Sequence, residues 1–338
     1  MNKTDVATVK KMLSEPRKIA IVPHKNPDGD AIGSTLALCH YLLKKGHEAS
    51  VVAPNDYPKF LKWMPGNDRI LNFERENKQS VTLLKNADII FTLDFNHLSR
   101  VGQMREIMEA LEVDFVMIDH HQSPDDYAKV TYSDTDMSST CEMVYNFIEQ
   151  LGDAHLIDPD TANCLYAGIM TDTGSFKFSS TTDRTHEVVA QLIKKGADNA
   201  RVHQYVFDTN SANRMQLLGR ALENLRVLPE YRTAYITLSQ DELDQHHFQK
   251  GDTEGFVNYG LSIEGIVFAT IFIENKEEGI IKISFRSLGD FSVNAFARAH
   301  FNGGGHTNAA GGRSEKSLSG TIEMFKSLLP QYASELVP

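Results

Sequence analysis

Four short stretches of this chain carry the residue types that bind metal ions and move protons. The first reads His24-Lys25-Asn26-Pro27-Asp28-Gly29-Asp30-Ala31-Ile32-Gly33-Ser34 and presents one imidazole and two carboxylates on a turn set by Pro27 and Gly29. The second is a lone acid, Asp94, at the end of an apolar run. The third is Asp119-His120-His121, and the fourth is Gly168-Ile169-Met170-Thr171-Asp172-Thr173-Gly174. Asp30 alone could be a helix N-cap, a common role for aspartate. Carboxylates gathered from four segments repel one another unless cations sit between them. The set is oxygen and imidazole with no thiolate, which favours Mn²⁺ or Mg²⁺, with Fe or Co as further options. Two such ions about 3.5–4 Å apart can activate a bridging water and clamp a phosphoryl group, with no serine or cysteine nucleophile. The chemistry expected is metal-assisted phosphoester hydrolysis.

Those residues need a scaffold that brings them to one place. Residues 18–22, 49–53, 88–93 and 114–118 read as buried strands. Helical patterns follow at 30–45, 103–111, 139–151, 159–170 and 183–196. Strands alternating with helices indicate an α/β domain, a parallel sheet with helices on both faces, over residues 1–195. Ligands of such sheets collect at the carboxyl ends of the strands, where the four stretches fall. Residues 196–224 read as a helical linker. A smaller α/β domain occupies 225–338, with strands at 234–238, 265–273 and 280–285 and helices near 241–247, 253–260 and 292–300.

Bulk properties narrow the field. The 338 residues are too many for one small core and suggest two domains. A content of 41% hydrophobic and 23% charged residues is globular and excludes global disorder. Cys39, Cys141 and Cys164 form no CxxC pair and fall in helical patterns, as reduced core residues would. No signal-peptide core or transmembrane run is present, so a soluble cytoplasmic protein without a membrane role is expected. With 34 Lys+Arg against 45 Asp+Glu the net charge is −11, which disfavours capture of long nucleic acids. Short phosphorylated substrates remain compatible if metal ions supply the local positive charge.

A second constellation lies near the C-terminus in Phe301-Asn302-Gly303-Gly304-Gly305-His306-Thr307-Asn308-Ala309-Ala310-Gly311-Gly312. Glycine lets backbone N–H groups approach an anion closely, and His306 adds a donor or a stacking ring. Upstream, Arg286 closes an apparent strand, and its guanidinium is a natural partner for phosphate. Glycine runs also mark plain turns.

Taken together, His24-x-x-Pro27-Asp28-x-Asp30, Asp94, Asp119-His120-His121 and Thr171-Asp172-Thr173-Gly174 resemble the ordered motifs of the DHH phosphoesterase superfamily. The C-terminal constellation resembles its DHHA1 domain, with Asn302 standing where that domain has the first of four glycines. The resemblance implies a DHH metal-binding catalytic domain over 1–195 and a DHHA1 substrate-binding domain over 225–338, with a cleft between them. It implies one ion on His24, Asp28 and Asp94, and another on Asp30, Asp94, His120 and Asp172, most simply Mn²⁺, with Mg²⁺ or Co²⁺ possible. His121 would face the substrate phosphate, Asp119 would orient a histidine, and Arg286, Gly304, Gly305 and His306 would hold the far end of the substrate. The subfamily most resembled hydrolyses short oligonucleotides 3′ to 5′ and converts 3′-phosphoadenosine-5′-phosphate (pAp) to AMP. A cyclic-di-AMP or linear dinucleotide phosphodiesterase is the near alternative, and a non-catalytic nucleotide sensor is the alternative of another class. By analogy the chain could form a homodimer.

Overall fold

The computed structural model describes residues 1–337. Its chain divides into two compact units, Met1–Thr209 and a second beginning at Asn210. The helix Asn199–Phe207 places Val202 in the core of the first unit, whereas Ala212–Glu223 buries Leu217, Leu218 and Ala221 in the second.

The first unit is built on six parallel strands: β1 (Lys18–Pro23), β2 (Glu48–Ala53), β3 (Leu71–Asn72), β4 (Ile89–Leu93), β5 (Asp114–Asp119) and β6 (Val130–Ser133). They lie in the order β3-β2-β1-β4-β5-β6. The central strands β1, β4 and β5 are largely apolar because both faces of the sheet are covered there. On β1, Ile19 and Ile21 enter one core while Ala20 and Val22 enter the other. On β4, Ile89, Phe91 and Leu93 face the first core and Ile90 the second. One face is covered by helices Gly29–Lys44, Thr140–Gln150, Pro159–Asp172 and Asp183–Lys194, the other by Asn77–Lys85 and the segment around Leu98 to Met108. The strand order reverses between β1 and β4, and that switch point is where an open α/β sheet binds ligands.

Two helices approach unusually closely because they lack Cβ atoms at the contact. A Cβ on Gly33 would lie 2.5 Å from the Cys164 carbonyl oxygen. One on Gly168 would lie 2.1 Å from Cys141 Sγ and 2.9 Å from Asp30 Oδ1. Gly168→Ala therefore overpacks the core beneath Asp30, at a cost of about 1–3 kcal/mol. We expect a lowered melting temperature that the second change Cys141→Ala restores in part, since the contact with Asp30 remains; an unaltered melting curve for Gly168→Ala would refute the close approach.

The helix that ends in Asp172 starts on Asp158, whose Oδ1 accepts from Thr161 N at 3.0 Å and which pairs with Lys44 Nζ at 2.5 Å. Burial pushes this carboxyl up, but Lys44 and Thr161 outweigh it and hold it at about 2. A depressed carboxyl contributes stability above its unfolded value of 3.8, and that contribution is lost as pH falls toward about 2. Asp158→Asn keeps the cap without the charge. Across that window the wild-type melting temperature should fall more steeply than the variant's, and parallel curves would rule the effect out.

The second unit is a six-stranded sheet in the order β11-β12-β10-β9-β8-β7. Its strands are β7 (Arg226–Leu228), β8 (Thr233–Leu238), β9 (Phe268–Asn275), β10 (Ile280–Ser287), β11 (Gly304–Gly305) and β12 (Ala309–Ser314). All neighbours are antiparallel except β8 with β9. One face packs on a phenylalanine cluster that includes Phe268, Phe272, Phe285, Phe296 and Phe325, closed by helices Val293–His300 and Leu318–Leu328. The helix expected over 253–260 is largely turns, with a helix only at Asn258–Leu261. Burial of Phe256 and Val257 accounts for the apolar spacing there without helix periodicity. Among the described residues no helix is long and apolar enough to cross a membrane. The three cysteines are buried free thiols whose ionisation burial suppresses.

Candidate metal centre

The sequence-selected side chains of the first unit converge at the carboxyl ends of β1, β4 and β5. His24 follows β1 directly. Its Nδ1 lies 2.8 Å from the Lys25 carbonyl oxygen, which makes Nδ1 the donor and leaves Nε2 for the cluster. Nε2 stands 3.4 Å from Asp94 Oδ2 and 3.9 Å from Asp28 Oδ2. The cap of helix Gly29–Lys44 is Asp28 and not Asp30: Asp28 Oδ1 accepts from the Asp30 and Ala31 amides, both at 3.1 Å. One Asp28 oxygen thus ends the helix while the other faces His24.

Asp30, one position inside the helix, is tied instead to a neighbouring one. Its Oδ2 accepts from Thr140 N at 2.6 Å and its Oδ1 from Cys141 N at 2.8 Å, at the start of helix Thr140–Gln150. Asp94 stands just after β4 with φ +66°, a left-handed conformation that Asp tolerates better than most residues. Its Oδ2 faces His24, while Oδ1 lies 3.5 Å from His120 Nε2 and accepts from Thr140 Oγ1 at 3.0 Å. Among the described residues, Asp94 is the carboxylate with one oxygen toward His24 and the other toward His120.

His120 places Nδ1 3.2 Å from the Met137 carbonyl oxygen, so its Nε2 points at three acids: Asp94, Asp172 at 3.6 Å and Asp30 at 3.8 Å. Asp119, the last residue of β5, is fully buried and spends both oxygens on His121, accepting from Nδ1 at 2.7 Å and from the backbone amide at 3.1 Å. Asp172 is the final residue of helix Pro159–Asp172. A helix C-terminus is a poor place for a carboxylate, because the backbone carbonyls there already carry partial negative charge.

The electrostatics follow from this crowding. Burial, then the Asp94 and Asp172 charges, push the Asp30 carboxyl well above the usual range. Burial pushes Asp172 up to about 6, against the pull of His120. Burial would raise Asp94 too, but the His120 and His24 imidazoles hold it well below the usual carboxylate range. His120 is displaced upward: burial opposes its charge, and Asp94, Asp172 and Asp30 overcome it. A cluster in which acids must share protons with imidazoles is one that a divalent cation would relieve.

Of the groups whose ligand atoms lie within 4.8 Å of one another, two consist of the expected ligands, His24, Asp28 and Asp94, and Asp30, His120 and Asp172, while a third, Asp94, Asp119 and His121, has Asp119 already committed to His121. The donor set is oxygen plus imidazole, which fits Mn²⁺ or Mg²⁺ and disfavours a structural zinc. Thr140 was not expected at this site. Nothing in the local sequence links residue 140 to Asp30 and Asp94; its proximity is purely tertiary.

In the second unit, Arg286 on β10 lies in register with Ala309 on β12, and Gly305 and Gly304 on β11 pair with Ala310 and Gly311. Arg286, Gly304, Gly305 and His306 thereby come to one end of one sheet. The glycines have a structural reason as well: a Cβ on Gly303 would lie 2.0 Å from the Gly311 carbonyl oxygen. Asn302, standing for a glycine, adopts φ +46°, a conformation that Asn accepts more readily than other side chains.

Comparison with known proteins agrees with this architecture. Residues 18–169 match the DHH family, N-terminal domain, and residues 232–335 match the DHHA1 domain. A Thermus thermophilus protein named bifunctional oligoribonuclease and PAP phosphatase NrnA is 31% identical over 90% of this chain and 86% of its own. The Bacillus subtilis cyclic-di-AMP phosphodiesterase GdpP is 26% identical over 96% of this chain, which spans 49% of that longer protein. The crystal structure of an exopolyphosphatase-related protein from Bacteroides fragilis superposes with a TM-score of 0.95 at 38% identity, covering 100% of this chain and 98% of the other. Fold and relatives alike place the chain among hydrolases. It belongs to the DHH family of phosphoesterases and carries the DHHA1 domain in its second half.

Proposed function

We propose that this protein is a metal-dependent phosphoesterase that hydrolyses short oligoribonucleotides from the 3′ end and converts pAp to AMP. The observation that carries the reading is a pair of adjacent ligand groups, with Asp94 of the first 3.5 Å from His120 of the second, in a chain whose relative over 90% of its length is named for both activities. His24, Asp28 and Asp94 would hold one ion, and Asp30, Asp94, His120 and Asp172 the other. When bound, the ions would supply an activated water and positive charge at the phosphate. The chain's own residues then orient and discharge. Asp119 fixes His121 with a proton on Nδ1, so Nε2 is the ring nitrogen turned away from Asp119. A protonated His121 can give the Nε2 proton to the oxygen that leaves phosphorus, and in pAp and in a dinucleotide alike that oxygen is a ribose oxygen. Arg286 with the Gly304, Gly305 and His306 loop would take the far phosphate or nucleotide.

A second reading keeps the chemistry and exchanges the substrate for a cyclic dinucleotide, favoured by the likeness to GdpP over nearly the whole chain. One experiment separates the two. Protein stripped of metal and reloaded with Mn²⁺ is offered linear di-adenylate, pAp, cyclic di-AMP and pyrophosphate in parallel. Cleavage of the first two supports the proposal, and preference for the cyclic compound moves the protein to the second reading. Metal uptake with no turnover of any of the four would favour a nucleotide sensor.

A further inference from the structure

Directly after Asp172 the backbone does something rare. Gly174, Ser175 and Phe176 take φ values of +57°, +61° and +65°, a run of three left-handed residues of which two carry side chains. Left-handed residues normally occur singly, and a bulky aromatic there is a true outlier. Such a conformation persists only where its surroundings over-determine it, and it is a reason to look for function.

Part of what holds the turn is local. Ser175 N donates to the Met170 carbonyl at 2.8 Å, and Phe176 N donates to Thr173 Oγ1 at 3.0 Å. The remainder comes from a separate helix, Asn199–Phe207. His203 Nδ1 lies 2.9 Å from the Asn199 carbonyl oxygen, so Nδ1 carries the proton of the neutral ring and Nε2 is an acceptor. Ser175 Oγ stands 3.2 Å from that Nε2 and donates to it. The rings close around the bond: Tyr166 meets both Phe176 and His203 at 5.9 Å, and Phe176 meets His186 at 5.8 Å. Asp172 lies three residues before Ser175, and its Oδ2 must be held 3.6 Å from His120 Nε2 at the end of a helix whose carbonyls repel it.

We propose that His203 is a positioning residue for the metal centre, which holds the left-handed turn through Ser175 and so fixes Asp172 in the cluster. The proposal rests on the reading of Asp172 as a metal ligand. A group hydrogen-bonded directly to a ligand is commonly worth 10- to 100-fold in metal affinity or activity, and His203, acting through Ser175 and the turn, belongs at the lower end of that range. The serine supplies what glycine could not, a hydroxyl for His203, in a conformation that glycine would adopt more easily.

The test uses the full chain and reads Mn²⁺ binding by titration calorimetry, the melting temperature of metal-free protein, and kcat and KM on linear di-adenylate. His203→Ala and Ser175→Ala should each weaken one Mn²⁺ site by about tenfold and lower kcat with KM little changed. The double variant should be no worse than either single one, because both remove the same bond. Ser175→Gly distinguishes positioning from bulk stability: it relaxes the turn and keeps or raises the metal-free melting temperature, yet loses the same metal affinity. His203→Gln, which offers an amide oxygen to Ser175, should recover part of it. Wild-type protein that binds two ions, with variants that bind them equally well, overturns the role of His203 alone. Wild-type protein that takes up no divalent ion overturns the metal reading itself and this proposal with it.

Discussion

Asp94→Asn should reduce kcat by roughly 10³- to 10⁵-fold, a loss of several kcal/mol in transition-state stabilisation. Asp94 is the carboxylate with one oxygen toward His24 and the other toward His120, so its loss touches both candidate ion positions together. Asparagine keeps the size, accepts the φ of +66° and can still receive the Thr140 hydroxyl. The fold should therefore survive. What disappears is the response to metal. An ion at a hundred times its dissociation constant stabilises a protein by about 2.7 kcal/mol, and a scan with and without Mn²⁺ should show that gain in wild type only. A variant that retained both turnover and the Mn²⁺-dependent rise would remove Asp94 from the centre.

Asp119→Asn should cost about 10²- to 10⁴-fold in kcat, the range typical of a misplaced acid or base, with KM nearly unchanged. The carboxylate is fully buried and both of its oxygens are spent on one histidine, at 2.7 and 3.1 Å. An amide offers one oxygen and one NH₂ group. If the oxygen faces the ring, His121 keeps its tautomer without the adjacent negative charge; if the NH₂ faces it, Nδ1 must accept and cannot carry the second proton of an imidazolium, so the ring is held as the neutral, weaker acid. Either way the group presented to the leaving oxygen is altered, while the residues proposed to bind the far end of the substrate are untouched. Steady-state kinetics on di-adenylate decide it, and a variant with wild-type kcat would show that Asp119 is only structural.

The convergence of much of this candidate cluster was legible in the sequence because an open α/β sheet gathers the residues that follow its strands along one edge. Residues that follow a parallel strand face the ligand-binding edge, so His24, Asp94 and the Asp119–His121 triplet could be grouped before any contact was known. The core strands were visible as apolar runs, such as Ile19-Ala20-Ile21-Val22. Edge strands were not: β3 has only two residues, and β6 (VTYS) alternates exposed with buried positions, too short a signal to stand out. In the second unit β12 reads AAGGRS and escapes notice because small residues carry no pattern. Within the centre, the division of labour between Asp28 and Asp30 depends on which amides each oxygen meets, and the reach of Thr140 depends on packing between helices far apart in the chain. Those are tertiary facts, and so is the bond from Ser175 to His203.

Asp30 has an evolutionary consequence. Its two oxygens hold the first amides of helix Thr140–Gln150, so the residue is a beam of the building as well as a tool in it. A descendant that gave up hydrolysis could shed His24 or Asp172 and keep its shape, but shedding Asp30 would unseat a helix in the core. Decay of this cluster should therefore run in a fixed sequence, His24 and Asp172 first and Asp30 last. A relative that retained only Asp30 from the set would be a retired enzyme and not a nascent one.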